Sequence, residues 1–90
     1  MVPVATGDTP MTTDEFRERL AEFGMTQREL SRLLAHLGDP ALPVTILRRV
    51  ERWCQGATTI PGEMAAFMNL LSLYPYVLRK LRKEEWPHGD

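Results

Sequence analysis

Residues 44–56 read VTILRRVERWCQG, and this stretch divides into two faces when it is wound as an α-helix. At about 100° per residue, one side collects a hydroxyl and three guanidinium groups, on Thr45, Arg48, Arg49 and Arg52. The opposite side collects only apolar side chains, on Ile46, Leu47, Val50, Trp53 and Cys54. The pattern predicts a helix that buries its apolar side and exposes an arginine face, defined here as Thr45, Arg48, Arg49 and Arg52.

The arginine face is typical of a helix that lies in a groove of DNA. Arginine pairs bidentately with a guanine edge or with a phosphate. The ordinary alternative is a solvated face without a partner. Glu51 lies to one side, however, so the three arginines have no acidic partner within the helix. Uncompensated positive charge favours the DNA interpretation.

Capping motifs and apolar spacing predict four further helices. The chain reads TTDE over residues 12–15 and TQRE over residues 26–29, and each resembles a capping box at a helix start. Glycine and proline fall between the helical segments, and no strand-like alternation occurs. The predicted fold is all-α with five helices, Thr13 to Phe23, Gln27 to Leu37, Val44 to the break at Gly56, Pro61 to Leu73 and Tyr76 to Glu85.

Length and composition limit the function. The 90 residues, 43% apolar and 26% charged, suffice for one small domain, which disfavours an elaborate enzyme. With Cys54 as the only cysteine, and His36 and His88 far apart, we expect no disulfide, metal or cofactor, and no small-molecule ligand. There is no bilayer-spanning apolar run or signal-peptide pattern, so we expect a soluble cytoplasmic protein.

Charge is distributed unevenly along a chain whose net charge is -1. Residues 25–56 carry five basic and three acidic side chains, whereas residues 1–24 carry two basic and five acidic ones. A second basic run, RKLRK over residues 79–83, is followed by Glu84 and Glu85. A solvated, self-neutralised helix end is at least as good an interpretation of that run as a phosphate clamp.

The chain resembles the helix-turn-helix domain of the Cro and phage-repressor type. The resemblance rests on TQRELSRLL over residues 26–34, RWCQG over residues 52–56 and Ile60-Pro61, and it covers about residues 13–73. It implies a five-helix DNA-binding fold in which Gln27, with Arg28 beside it, grips a phosphate. It further implies that Thr45, Arg48 and Arg49 read bases and that Arg52 contacts a base or the backbone.

One departure from the family leaves the reading register open. The stretch from Thr26 to Gly56 is about nine residues longer than is usual, through a larger turn and a longer third helix. Aligned from its start, the third helix reads with Thr45 and Arg48. Aligned from Trp53, it reads with Arg48, Arg49 and Arg52.

These observations predict a sequence-specific regulator of transcription, and more specifically a repressor that binds double-stranded DNA as a homodimer. The alternative is a helical interaction module, an antitoxin or adaptor, whose arginine face binds an acidic protein; the sequence pI of about 6.1 favours it. We expect a disordered lead over residues 1–11, a helix-turn-helix domain over residues 12–75 and a C-terminal helix and tail over residues 76–90.

The expected dimer interface lies late in the chain, where apolar residues exceed what the inner faces of the last two helices need. It comprises Leu70, Leu73, Tyr74, Tyr76, Val77, Leu78 and Trp86. Two residues elsewhere are interpreted without a function. Trp53 is expected in the core, and His36 on the surface without a role.

Overall fold

In the computed structural model, which describes residues 11–86, the chain is all-helical. No strand occurs in that range, and no helix there is long and apolar enough to cross a membrane. The predicted all-α class with five helices is confirmed. In chain order the helices are α1 (Thr13–Phe23), α2 (Gln27–His36), α3 (Pro43–Gln55), α4 (Gly62–Leu73) and α5 (Pro75–Arg82). Most of the predicted lead, residues 1–10, and His88 lie outside the described residues.

The start of α1 is the capping box that the sequence predicts. The Thr12 hydroxyl accepts the Glu15 N–H at 3.1 Å, and the Glu15 carboxylate accepts the Thr12 N–H at 2.9 Å. Because the backbone of Thr12 donates to it, the pKa of Glu15 is lowered. The helix ends at Gly24, whose φ of 63° is left-handed and therefore suits glycine.

Met11 corrects the predicted extent of the lead. It is buried with the core residues, whereas the sequence interpretation placed it in a disordered segment. It directly precedes the cap Thr12, and Phe16 stands at the fourth helical position. Apolar residues at these two positions form a hydrophobic staple, which fixes the direction in which the chain enters the helix. The ordered domain therefore includes Met11.

The Thr26 hydroxyl caps the start of α2 by accepting the Glu29 N–H at 3.0 Å. A hydrogen-bonded turn then joins the end of α2 to α3. After α2, the Asp39 carboxylate accepts the N–H of Ala41 at 3.0 Å, which fixes the turn. Helix α3 ends at Gly56, where φ is 76° and an added Cβ would lie 3.2 Å from the Thr13 hydroxyl. The absence of a side chain at Gly56 therefore allows the end of α3 to approach Thr13 at the start of α1.

Helix boundaries differ from the predicted ones by up to three residues. Pro61 caps α4 instead of opening it, while Pro75 occupies the first turn of α5. Helix α5 ends at Arg82, earlier than the predicted Glu85. The N–H groups of the next two residues bond to carbonyls three residues back, and Trp86 Nε1 donates to the Leu81 carbonyl at 2.6 Å. The chain therefore departs from the helix after Arg82, and the Trp86 indole hydrogen-bonds back to the last turn of α5.

The core forms where α3 packs on α1 and α2. Trp53 meets Phe16 edge to face, with ring centroids 5.8 Å apart, as expected of a core tryptophan. Burial also raises the pKa of the Cys54 thiol. Leu47, predicted on the buried side, is only half-buried, because it lies beyond Cys54 at the margin of the apolar arc. The fully buried α3 residues are Ile46 and Val50.

A pair of β-branched residues two positions apart tests this phase of α3. Ile46 is 0% exposed and Val44 is 53% exposed. Ile46→Ala should lower the free energy of unfolding by about 2 to 5 kcal/mol through the cavity it leaves. Val44→Ala should change it by no more than about 0.5 kcal/mol. Urea unfolding of both variants measures the difference, and equal losses would show that the phase is wrong.

Candidate nucleic-acid interface

The arginine face lies on one exposed arc of α3. Its four members are all exposed, while the opposite side packs into the core. Thr45 lies three and four residues before Arg48 and Arg49, and Arg52 lies four and three residues after them, so these side chains are neighbours on one side of the helix. The sequence positions thus become one continuous surface, about 10 Å long at a rise of about 1.5 Å per residue.

Its three arginines are not electrostatically equivalent. Arg49 Nη1 lies 3.3 Å from Asp39 Oδ2, in the turn before α3. The sequence interpretation found no acidic partner because it considered α3 alone, so it is corrected for Arg49. Among residues 11–86, no ion pair involves Arg48 or Arg52. Within the arginine face, the unpaired positive charge therefore lies on Arg48 and Arg52.

Gln27 and Arg28 occupy the first turn of α2, and both are exposed. The Arg28 carbonyl accepts a hydrogen bond from the buried Ser31 hydroxyl at 2.7 Å, which fixes the backbone of this turn. Helix α2 packs directly on α3. Within residues 11–86, no hydrogen bond joins Gln27 or Arg28 to the arginine face. The candidate interface thus consists of two exposed segments on neighbouring helices.

Arg82 is the residue that sequence reasoning missed. Its Nη2 donates to the Phe23 carbonyl at 2.9 Å and lies 3.5 Å from both the Gly24 carbonyl and Glu29 Oε2. Glu29 is buried, so its carboxylate needs a cation nearby. Arg82 therefore fastens α5 to the junction between α1 and α2, immediately beside the turn that carries Gln27.

The sequence contains a weak signal for this contact. Helix α1 has no basic residue in its last turn, although the carbonyls that end a helix favour a cation. Glu29 is also the single acidic residue of α2. Neither feature identifies the partner, because Arg82 is more than 50 residues away from both groups it contacts.

His36 has a contact that the sequence interpretation did not foresee. Its Nε2 lies 2.6 Å from Glu84 Oε1, and its ring stacks on Trp86 with centroids 5.9 Å apart. The expectation of a histidine without a role is therefore corrected. The chain after α5 therefore packs on the end of α2, and Glu84 contacts His36 there. The basic side chains of Arg79, Lys80 and Lys83 are exposed.

The structure divides the expected dimer residues into two groups. Leu78 is buried in the core of the chain, and Val77 and Trp86 are half-buried against it, so these three are corrected. Helical phase turns them inward, which a count of apolar residues does not reveal. The remaining four residues form an apolar patch at the α4–α5 junction, Leu70, Leu73, Tyr74 and Tyr76.

Other features offer little chemistry. Within residues 11–86, no three metal-binding side chains come together. An open cleft between the start of α1 and the loop before α4 is lined by threonines, small residues and apolar side chains. That lining contains no general acid, base or cationic group. The arginine face is therefore the feature on which a functional argument can rest.

Comparison with known proteins adds no relative to this picture. No family model, curated protein or solved structure matches the chain.

Arg82 and its neighbour provide a matched test of the α5 attachment. Arg82→Ala should lower the free energy of unfolding by roughly 1 to 3 kcal/mol, because it removes a charged donor from carbonyl oxygens and leaves the Glu29 carboxylate without its cation. Lys83→Ala removes the same charge from an exposed site and should change it by no more than about 0.5 kcal/mol. Indistinguishable urea midpoints for the two variants would contradict the attachment.

Proposed function

We propose that the protein is a sequence-specific double-stranded DNA-binding regulator of transcription, a repressor that binds an inverted repeat as a homodimer. In this proposal α2 and α3 form a helix-turn-helix pair of the phage-repressor type, and α3 lies in the major groove. Repression requires only that the bound protein occupy DNA that the transcription machinery needs.

One observation carries the proposal. Arg48 and Arg52 stand on the exposed arc of a helix whose other side is fixed in the core, and neither has an ion-pair partner among residues 11–86. An exposed α-helix fits the width of the major groove, and arginine is the side chain that most often reads guanine there. Because the protein as a whole is close to neutral, its electrostatic attraction to DNA comes from this local concentration of cations.

The first turn of α2 supports the same proposal. Gln27 offers an amide donor, and Arg28 offers a cation, on an exposed helix start that favours anions. Phosphate contacts of this kind orient a protein on the duplex without reading its sequence. The Arg82 contact with Glu29 and with the end of α1 keeps this turn in place relative to α5.

The apolar patch at the α4–α5 junction supports a dimer. Leu73 is 73% exposed, and Tyr74 and Tyr76 pack edge to face with centroids 6.0 Å apart. Contiguous exposed apolar side chains favour a protein contact. A single short reading helix contacts few base pairs, so a two-fold pair of protomers doubles the sequence that is read.

Selection from a random pool of duplexes tests DNA recognition directly. The protein should enrich one sequence, and Arg48→Ala or Arg52→Ala should weaken its binding by about 1 to 3 kcal/mol for each lost base contact. Arg79→Ala removes an equal charge from the exposed surface of α5 and is the control. Fluorescence anisotropy at several salt concentrations measures all three variants.

The same titrations separate the alternatives. Affinity of the parent should fall with salt with a log-log slope near -0.9 per phosphate contacted. Equal losses in the Arg48, Arg52 and Arg79 variants would show that the attraction is merely electrostatic. If no sequence is enriched, DNA recognition is refuted and an acidic protein partner for the arginine face becomes the better hypothesis.

The dimer has its own test. Leu73→Asp places a charge in the apolar patch without touching the core, so it should yield a folded monomer. Leu37→Asp makes the same change at an exposed leucine outside the patch and should leave the dimer intact. Sedimentation equilibrium at micromolar concentration distinguishes them. On DNA, the half-site centres should lie about 34 Å apart. A parent protein that is monomeric both free and bound would refute the dimer.

A further inference from the structure

The start of α3 exposes apolar side chains that the core does not use. Leu42 is 69% exposed and Val44 is 53% exposed. Neither belongs to the apolar cluster that holds the helices together. The two residues flank Pro43, the first residue of α3, and immediately precede Thr45 of the arginine face. Their exposure therefore needs an explanation other than folding.

These side chains are continuous with the arginine face. At about 100° per residue, Val44 lies on the same side of α3 as Arg48, one turn later, and Leu42 precedes Thr45 by one turn. The exposed surface therefore changes in character along the helix. It is apolar at the start of α3 and cationic from Arg48 onward.

The backbone at this end of α3 is poorly suited to a phosphate. Pro43 has no N–H, and the N–H groups of Thr45 and Ile46 already donate to the Leu42 carbonyl, at 2.9 and 3.0 Å. Phosphate binding at a helix start depends on free N–H groups, which are scarce here. The apolar side chains beside them also favour an apolar ligand group over an anion.

The major groove presents one apolar group on its base edges, the 5-methyl group of thymine. We propose that Leu42 and Val44 contact thymine methyl groups next to the bases read by Arg48 and Arg52. This inference rests on the proposed DNA recognition by α3. One helical turn advances about 5.4 Å and one base pair about 3.4 Å. The thymines therefore stand one or two base pairs from a guanine in each half-site.

The turn before α3 holds this contact surface in a defined position. Asp39 accepts the Ala41 N–H through one carboxylate oxygen and pairs with Arg49 through the other. The backbone of Leu42 is thus held between the hydrogen-bonded turn on one side and the first residue of α3 on the other. A backbone that is already fixed loses little conformational entropy when its residue binds. The same carboxylate pairs with Arg49, whereas Arg48 and Arg52 have no ion-pair partner among residues 11–86.

Replacing thymine by deoxyuridine tests the proposal, because uracil keeps the pairing and lacks only the methyl group. After a preferred duplex has been selected from the random pool, each thymine of the half-site is replaced in turn. We expect one or two positions at which affinity falls by about fourfold, the value for one methyl group removed from water. Anisotropy titrations give the ratio of dissociation constants for each duplex.

The variants connect the effect to its residues. Leu42→Ala or Val44→Ala should remove the preference for thymine over uracil at one of these positions, and Leu37→Ala, at an exposed leucine outside both the arginine face and the apolar patch, should retain it. A preferred half-site without thymine, or deoxyuridine without effect at every position, overturns the inference and leaves DNA recognition standing.

Two other results also overturn it. If both variants bind the thymine duplex as the parent does, the two side chains do not contact thymine. If no duplex is selected at all, this inference falls together with the proposed function.

Discussion

The edge-to-face contact between Trp53 and Phe16 joins α3 to α1 in the core, and the orientation of the candidate interface depends on it. A helix with one buried arc has no rotational freedom, so burial of Ile46 and Val50 determines which side chains face outward. Gly56 allows the end of α3 to approach Thr13, and this close approach sets the same helix along its axis. The arginine face is thus positioned by core residues that are not part of it.

The positions of the acidic groups explain how a chain of net charge -1 can present a locally cationic surface. Glu29 lies next to Arg82, Asp39 next to Arg49 and Glu84 next to His36. Asp39 contacts only Arg49 of the arginine face, and Glu29 and Glu84 contact residues outside it, so none of the three forms an ion pair with Arg48 or Arg52. Net charge and pI therefore say little about the local field, which depends on where the cations without partners lie.

Local patterns predicted the fold well, because every helix of this chain has a local start or stop. The Thr12 capping box, the prolines and Gly56 act within a few residues of their own position. The arginine face was equally predictable, since it follows from helical periodicity. Contacts between distant segments were not. Arg82 reaches Phe23 across 59 residues, and only the folded chain brings Trp86 against His36.

The candidate interface and the core are separable although they share one helix. Val44 and Ile46 are two residues apart, yet one is half-exposed and the other has no contact with solvent. Substitutions on the exposed arc can therefore alter recognition while the packing that orients α3 persists. Arg49 is the exception, because its bond to Asp39 ties the exposed arc to the turn before it. A change at Arg49 also removes a contact of the turn that leads to Leu42, so its effects on binding cannot be attributed to a lost base contact alone.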